Sequence, residues 1–214
     1  MTVNATEDSR PLRKRNRRGE GSLLREEILV AATAILERTG SEEAVTLRGI
    51  AREVGIAAPS IAPHFAQRTD IIDAVVAKEL AIFIEQIREA SATETDPREK
   101  LFAMCKAYLS YGRTRPGRYR LMVGRRFVED WQTEERPMVE TAPLLKEAIA
   151  LVTDAIEACI KSGQSVSVDA ELDTSVLWFA MHGLVTVPEA ITSLDWPDED
   201  RLLAACVTSA ARLK

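Results

Sequence analysis

Residues 46–65, TLRGIAREVGIAAPSIAPHF, predict two short helices joined by a tight turn. Thr46 is a suitable N-cap for the first helix, because its hydroxyl can accept a hydrogen bond from an N–H group that the helix itself leaves unpaired. Gly55 supplies the turn into the second helix. The apolar residues of the first helix recur at helical spacing: Leu47, Ile50, Ala51 and Val54. The stretch is that of a helix-turn-helix, and it indicates a chain built from helices.

The second of these helices carries two prolines, although proline removes a backbone donor. We place this helix at about residues 58–64, with Pro59 in its first turn, where the missing N–H group would have no partner in the helix. Pro63 is the costly one, because it forfeits a hydrogen bond to the carbonyl of Pro59 and pushes Ala62 away from helical geometry. We therefore expect a short helix with a frayed end.

The composition extends the helical prediction to the whole chain. Its 214 residues are 46% apolar, which is enough for one large domain or two small ones, and only 10 glycines and 9 prolines are present. Successive periodic segments predict an all-α protein of about nine helices. No apolar run reaches the roughly 20 residues that a membrane span needs. The three cysteines form neither a disulfide framework nor a zinc pattern, so we expect a cytoplasmic protein without a bound metal.

Positive charge is concentrated near the start of the chain. Residues 1–68 hold 11 lysines and arginines against 9 aspartates and glutamates, whereas the remaining residues hold 17 against 24. An N-terminal tail too polar to fold carries much of this positive charge, as is typical of an arm that lies along nucleic acid. Its candidate phosphate-binding residues are Arg13, Lys14, Arg15, Arg17 and Arg18. A tail that is only solvated is the alternative.

Residues 46–76, TLRGIAREVGIAAPSIAPHFAQRTDIIDAVV, resemble the DNA-binding domain of the TetR family of transcriptional repressors. The stretch preserves the family's threonine cap, the turn glycine, the Ser-Ile pair, the His-Phe pair that closes the recognition helix, and an acidic residue followed by two aliphatic ones. With the helix before it, the resemblance spans about residues 23–90. Two later stretches, RPGRYRLMVG and LWFAMHGLV, resemble a subgroup whose C-terminal domain carries a Trp-x-x-x-His-Gly motif, here Trp178, His182 and Gly183.

This resemblance, together with the periodic segments, implies four parts of the chain. They are a disordered basic arm at residues 1–21, a helix-turn-helix DNA-binding domain at 22–68, a connecting helix at 69–91, and a ligand-binding and dimerisation domain at 92–214. The implied partners are a two-fold operator on double-stranded DNA, a second copy of the chain in a homodimer, and a small-molecule effector of unknown identity. No cofactor is implied.

A homodimer needs an apolar surface for the second copy. The last two predicted helices each carry an apolar face that can pair with its counterpart in a four-helix interface. The residues of these faces are Leu172, Val176, Phe179 and Ala180 on one helix, and Leu202, Leu203, Cys206 and Leu213 on the other. The alternative is that these faces only close the core of a single chain.

The recognition helix of this chain departs from the family pattern. Family members usually have one or two tyrosines where this chain has Ala62 and Pro63, and those hydroxyls commonly bind phosphate. We expect little direct reading of bases, with Ser60 as the single polar base reader, and a specificity that depends on Arg48, the basic arm and DNA shape. The candidate DNA contacts in the helix-turn-helix are Thr46, Arg48, Ala57, Ala58, Pro59, Ser60, Ala62, His64, Gln67 and Arg68.

An effector pocket in the later part of the chain should be apolar, with few polar groups. Aromatic residues, methionines and the histidine of that part are the candidates. They are Phe83, Phe102, Met104, Tyr108, Met122, Phe127, Trp131, Trp178 and His182. Plain packing in the core is the alternative for each of them.

Three classes of function compete for this chain. The first, which we expect, is a DNA-binding transcriptional regulator, a repressor released from a palindromic operator by a small-molecule ligand. The second is a ligand-binding or adaptor protein of the same fold with lost or weak operator recognition, a reading that Ala62 and Pro63 keep open. The third is an enzyme. The sequence argues against it, because it has no Gly-rich phosphate loop, no His and carboxylate set at metal spacing and no nucleophile beside a base.

Overall fold

The structure is a computed structural model that describes residues 21–124 and 141–214. These residues form eight α-helices and one short 3₁₀ helix, so the prediction of an all-α chain of about nine helices is confirmed. The α-helices are α1 (Gly21–Thr39), α2 (Leu47–Val54), α3 (Arg68–Ala92), α4 (Pro97–Thr114), α5 (Pro116–Gly124), α6 (Thr141–Lys161), α7 (Ala170–Ala190) and α8 (Glu199–Ala210). Within the described ranges, no helix combines the length and the apolar character that a bilayer crossing requires.

The described chain separates into two compact units, and the division between Val75 and Val76 falls inside α3. The first unit contains α1, α2, the 3₁₀ helix and the start of α3. Each of these four elements contributes buried side chains to the core of the unit: Ile28, Ala32 and Ile35 from α1, Ile50 from α2, Ile61 from the 3₁₀ helix, and Ile71 and Ile72 from α3.

The predicted cap and turn of α2 are both confirmed. The hydroxyl of Thr46 accepts a hydrogen bond from the N–H group of Gly49 at 3.0 Å. Gly55 ends the helix with a left-handed φ of 77°, a conformation that glycine adopts without steric cost. Local sequence signals therefore set both ends of this helix.

The helix after α2 is shorter than predicted. It is a 3₁₀ helix of four residues, Ala58–Ile61, rather than an α-helix that continues to residue 64. Pro59 lies in its first turn, as predicted. Because 3₁₀ helices have poorer hydrogen-bond geometry than α-helices, they rarely extend further than this.

Pro63 follows the 3₁₀ helix and does not distort the residue before it. Ala62 has helical φ and ψ of −53° and −35°, so the prediction that Pro63 pushes Ala62 away from helical geometry is wrong. The N–H groups of His64 and Phe65 both donate to the carbonyl of Ile61, at 2.9 and 3.1 Å. These two hydrogen bonds keep the turn closed against the steric preference that proline imposes on its predecessor.

Helix α4 contacts α5, α6, α7 and α8 in the second unit. It begins after Asp96, whose carboxylate accepts hydrogen bonds from the N–H groups of Arg98 and Glu99, at 3.0 and 3.1 Å. Its approach to α7 is close. A Cβ atom at Gly112 would lie 2.6 Å from Cγ1 of Val185, nearer than real side-chain atoms come. Glycine at position 112 therefore allows the two helices to meet at this distance.

Two helix boundaries in the second unit can be traced to particular residues. A single residue, Arg115, separates α4 from α5, because Pro116 fits the first turn of α5. The last helix ends at Ala210. The chain leaves the helix there because its end pairs with an earlier loop, in which the N–H group of Val166 donates to the carbonyl of Arg212 at 3.0 Å.

The predicted dimer faces of α7 and α8 differ in exposure. Phe179 of α7 is 74% exposed, and Leu172 and Val176 on the same face are about half exposed. In contrast, Leu203 and Leu213 are 2% and 8% exposed and belong to the core of the second unit. The prediction that these two leucines form part of a dimer surface is therefore wrong, because their side chains already pack within the single chain.

Candidate functional site

The predicted DNA contacts lie on α2, on the 3₁₀ helix and around the start of α3. The arm residues Arg13, Lys14, Arg15, Arg17 and Arg18 lie outside the described residues. Of the others, the exposed ones are Thr46, Arg48, Ala57, Pro59, Ala62 and Gln67, and the half-buried ones are Ala58, Ser60, His64 and Arg68. Ile61 and Phe65, which alternate with them in the chain, are buried in the core of the first unit.

Two arginines of the first unit make internal contacts. Arg68 donates a hydrogen bond to the carbonyl of Glu42 at 2.5 Å, and the guanidinium of Arg25 lies 4.9 Å from the ring centroid of Phe65. Arg48, in contrast, is exposed. The exposed alanine and proline side chains beyond it offer methyl and methylene groups but no hydrogen-bond donors.

The second unit contains a cavity of about 290 Å³ with a mostly apolar lining. Five helices contribute to it: Val76, Leu80 and Phe83 from α3, Tyr108 from α4, Tyr119, Met122 and Val123 from α5, Thr141, Leu145 and Ile149 from α6, and Trp178 and His182 from α7. Five of the nine residues predicted from the sequence are among them: Phe83, Tyr108, Met122, Trp178 and His182.

The other four predicted pocket residues are not among the described residues that line this cavity. Met104 lines a second, smaller cavity of about 30 Å³. Phe102 lines neither cavity, and the guanidinium of Arg98 lies 5.7 Å from its ring centroid. Phe127 and Trp131 lie outside the described residues.

Sequence reasoning missed several residues of the larger cavity. On α3, Val76 and Leu80 precede Phe83 at helical spacing, so the helical periodicity carried a signal for them that a selection of aromatic residues did not use. Tyr119 lies within the RPGRYRLMVG stretch, from which only Met122 was selected. The three residues of α6 in the lining had no local signal, because an apolar helix face does not reveal which other helix covers it. They are Thr141, Leu145 and Ile149.

A polar network lies on one side of the larger cavity and joins three helices. The hydroxyl groups of Tyr119 on α5 and Tyr108 on α4 are 2.9 Å apart, and the Tyr108 hydroxyl is 2.7 Å from Nδ1 of His182 on α7. Nδ1 of His182 also lies 3.0 Å from the carbonyl of Trp178. Since that carbonyl can only accept, the proton of a neutral imidazole belongs on Nδ1. Nε2 is then an acceptor, and it lies 3.3 Å from the Tyr108 hydroxyl. The two tyrosines supply two hydroxyl hydrogens, one for the bond between them and one that can go to Nε2 or to a ligand.

Burial keeps this network uncharged near neutral pH. It lowers the pKa of His182, an effect that the hydrogen bond to the Trp178 carbonyl partly offsets. Burial also raises the pKa of Tyr119 to about 12 and raises that of Tyr108 further, with the neighbouring Tyr119 adding to the second effect. The polar side of the cavity therefore presents neutral groups, which suit a ligand whose polar atom is an uncharged acceptor.

A buried carboxylate connects α3 to α4 and α5 beside the cavity. Glu79 is 3% exposed and accepts hydrogen bonds from the hydroxyl of Tyr111 at 3.0 Å and from the guanidinium of Arg118 at 3.1 Å. The sequence contained a signal for this burial. Glu79 lies three positions after Val76 and four before Phe83, so it falls on an apolar helix face. A buried carboxylate of this kind is retained only where charged or polar partners compensate its desolvation.

The family comparison identifies the second part of the chain. Residues 101–209, about half of the chain, match the family model described as "Tetracyclin repressor-like, C-terminal domain". A curated relative, the HTH-type transcriptional activator FasR of Mycolicibacterium smegmatis, is 29% identical over 145 residues. That match covers 66% of this chain and 62% of the relative, so the chain spans less than two thirds of that protein's length.

Solved structures share the fold across most of the chain. The transcriptional regulator FadR from Bacillus subtilis in complex with stearoyl-CoA has a TM-score of 0.67 at 16% identity, covering 87% of this chain and 97% of that one. A bacterial regulatory protein in the TetR family from Rhodococcus RHA1 has a TM-score of 0.61 at 17% identity, covering 88% and 95%. At these identities the likeness is one of fold.

The titration of His182 predicts a pH-dependent contribution to stability. Because its folded-state pKa lies below the unfolded value of about 6.5, the unfolded chain binds the proton first as the pH falls, and the stabilisation is lost from about pH 6.5 downwards. We expect the stability advantage of the natural chain over His182→Gln to be larger at about pH 7.5 than at about pH 5.5.

Urea unfolding followed by circular dichroism, at one protein concentration, measures this difference. Tyr108→Phe is the matched control, since it removes a partner of the network but keeps the imidazole and its titration. A stability difference between the natural chain and His182→Gln that is the same at both pH values would contradict the prediction.

Proposed function

This chain belongs to the TetR family of transcriptional regulators, and from that premise we propose that it is a repressor released from a two-fold DNA operator by an apolar small-molecule effector. As a member of this family it is a transcriptional regulator and not an enzyme. The observation that carries the proposal is an apolar cavity with one neutral polar side, in the part of the chain that matches the family's C-terminal domain.

Binding to DNA is supported by the exposure of the helix-turn-helix. Arg48 is exposed on α2, and the residues around Pro59 and Ala62 present small apolar side chains. We assign phosphate contacts to the basic arm, most of the sequence specificity to Arg48, the arm and DNA shape, and a minor part of it to Ser60. Two such units in a dimer read half-sites one helical turn apart, about 34 to 36 Å.

Dimerisation is supported by the open face of α7. Leu172, Val176 and Phe179 follow one another at helical spacing and are exposed. Gly183 continues the same face one turn later, and a Cβ atom there would meet nothing within 4 Å. A small residue at that point lets a second helix approach closely. We therefore assign the dimer contact to this face of α7, accompanied by the half-buried Leu202 and Cys206 of α8.

One observation favours a second candidate function, an adaptor of the same fold with weak or lost operator recognition. Ala62 and Pro63 are both exposed at the end of the recognition segment and have no group that can bind phosphate. The two functions differ in their response to salt, because specific and non-specific binding to DNA both release counterions and weaken steeply as the salt concentration rises.

The DNA-binding proposal predicts a ranking of three changes. DNA sequences selected by the natural chain from a random pool serve as the operator. Arg48→Ala and deletion of residues 10–18 should each weaken operator binding more than Ser60→Ala does, since phosphate contacts supply more of the affinity than the one base reader.

Gel shifts at several salt concentrations measure these affinities, with Arg120→Ala as a control that removes one exposed positive charge from the second unit. The reverse ranking would refute the proposed DNA surface. Failure to select any sequence, together with affinity that does not depend on salt, would instead identify the chain as an adaptor.

We assign the effector to the long-chain acyl thioesters. The FadR structure from Bacillus subtilis contains stearoyl-CoA, and the cavity of this chain supplies the two features that an acyl thioester requires. Its apolar lining accepts a hydrocarbon chain, and when Tyr108 donates to Tyr119, the Tyr119 hydroxyl can donate to the thioester carbonyl.

Helix α3 is the proposed route from effector to DNA. It begins at the end of the helix-turn-helix, and its residues Leu80 and Phe83 line the cavity. Glu79, the residue before Leu80, accepts a hydrogen bond from Arg118, whose neighbour Tyr119 lines the cavity on α5. An effector that moves α5 therefore acts on α3 both directly and through this buried ion pair. The effector changes the affinity for DNA only by as much as its own affinity differs between the DNA-binding and the released conformation of the chain.

The effector assignment predicts that stearoyl-CoA binds the chain and that Tyr119→Phe weakens this binding roughly 2- to 10-fold, the effect of one hydrogen bond. Equilibrium binding by calorimetry measures it. Tyr111→Phe is the matched control, because it removes a tyrosine hydroxyl that points to Glu79 and does not line the cavity. Equal affinity of the natural chain and Tyr119→Phe would exclude the carbonyl contact, and absence of binding would exclude acyl thioesters.

A further inference from the structure

The two cavities of the second unit share two lining residues, Tyr108 and Trp178. The larger one measures about 290 Å³ and the smaller one about 30 Å³. The other residues of the smaller cavity are apolar: Ile87, Met104, Cys105, Ala148, Val152, Leu177 and Met181. Two side chains that line both cavities form the partition between them, so the smaller cavity is a continuation of the larger one behind this aromatic pair.

The two members of the partition are held differently. Tyr108 is 6% exposed and its hydroxyl lies within hydrogen-bond distance of Tyr119 and His182. Trp178 is half-buried and meets the Tyr108 ring edge to face, with centroids 6.2 Å apart and planes at 78°. Trp178 also faces the His182 ring, with centroids 5.1 Å apart. Because Tyr108 is held by hydrogen-bond contacts as well as ring contacts, Trp178 is the member that can turn aside at smaller cost.

The space behind Trp178 is able to adapt. Met104 and Met181 line the smaller cavity and not the larger one. Methionine side chains are unbranched and flexible and refill irregular space readily. The smaller cavity can therefore widen when a chain enters it, whereas rigid aromatic walls would resist.

We propose that Trp178 sets the acyl-chain length that the larger cavity accepts, and that longer chains pass it to reach the smaller cavity. This inference rests on the proposed acyl-thioester effector. A cavity of about 150 Å³ holds a benzene ring, so the larger cavity, about twice that volume, holds roughly twelve carbons. A dodecanoyl chain fits on one side of Trp178, and the last carbons of a stearoyl chain do not.

The test measures the affinities of octanoyl-, dodecanoyl-, hexadecanoyl- and stearoyl-CoA for the full chain and its variants by calorimetry. In Trp178→Leu the partition is smaller, so the ratio of stearoyl-CoA affinity to dodecanoyl-CoA affinity should rise roughly 2- to 10-fold above that of the natural chain. Trp196→Leu is the matched control, because Trp196 lines neither cavity.

A second variant tests the other side of the partition. Ala148 lines only the smaller cavity and is buried, so Ala148→Leu should fill that space, weaken stearoyl-CoA binding and leave dodecanoyl-CoA binding unchanged. Circular dichroism confirms that each variant is folded.

Equal shifts for both chain lengths in Trp178→Leu, with both chains bound, would overturn the role of Trp178 and leave the effector class intact. If none of the four acyl thioesters binds the natural chain, the effector class and the inference fail together.

Discussion

The contact between α4 and α7 positions the polar side of the cavity. Gly112 lets Val185 approach to a distance that any larger residue would block, and one helical turn away Tyr108 meets His182. If α7 stood farther away, the hydrogen bond between these two side chains would not form. The aromatic pair of Tyr108 and Trp178 would separate as well, since both are carried by the same two helices. One small residue thus sets the geometry on which the candidate effector site depends.

Local sequence signals predicted most of the helices. The features that these signals did not predict depend on tertiary packing. The caps at Thr46 and Asp96 and the turn at Gly55 act within a few residues, so they were readable from the sequence. The helical conformation of Ala62 was not, because two hydrogen bonds to the Ile61 carbonyl offset the preference that Pro63 imposes on the residue before it. Periodicity also could not separate Leu203, which packs in the core, from Phe179, which is exposed, since both lie on apolar helix faces.

The candidate site was likewise predictable where local signals were sufficient and not where packing between helices decided. Aromatic side chains on single helices pointed to Tyr108, Trp178 and His182, and the structure brings them together in one lining. The network to Tyr119 and the ion pair of Glu79 with Arg118 depend on how α5 packs against α3 and α4, and no spacing within one segment encodes that packing. These inter-helix contacts set the polarity of the candidate site, because they bury the tyrosine hydroxyls and the imidazole and favour their neutral forms.

The central claim is that effector and operator compete through one conformational equilibrium of this chain. Thermodynamic linkage requires the effector to change operator affinity by the same factor by which the operator changes effector affinity. The decisive measurement is therefore the affinity for stearoyl-CoA with and without saturating operator DNA. The account predicts that operator weakens effector binding by the same factor by which effector weakens operator binding, about 5- to 150-fold for a coupling of about 1 to 3 kcal/mol. Equal effector affinity in the presence and absence of operator would contradict it.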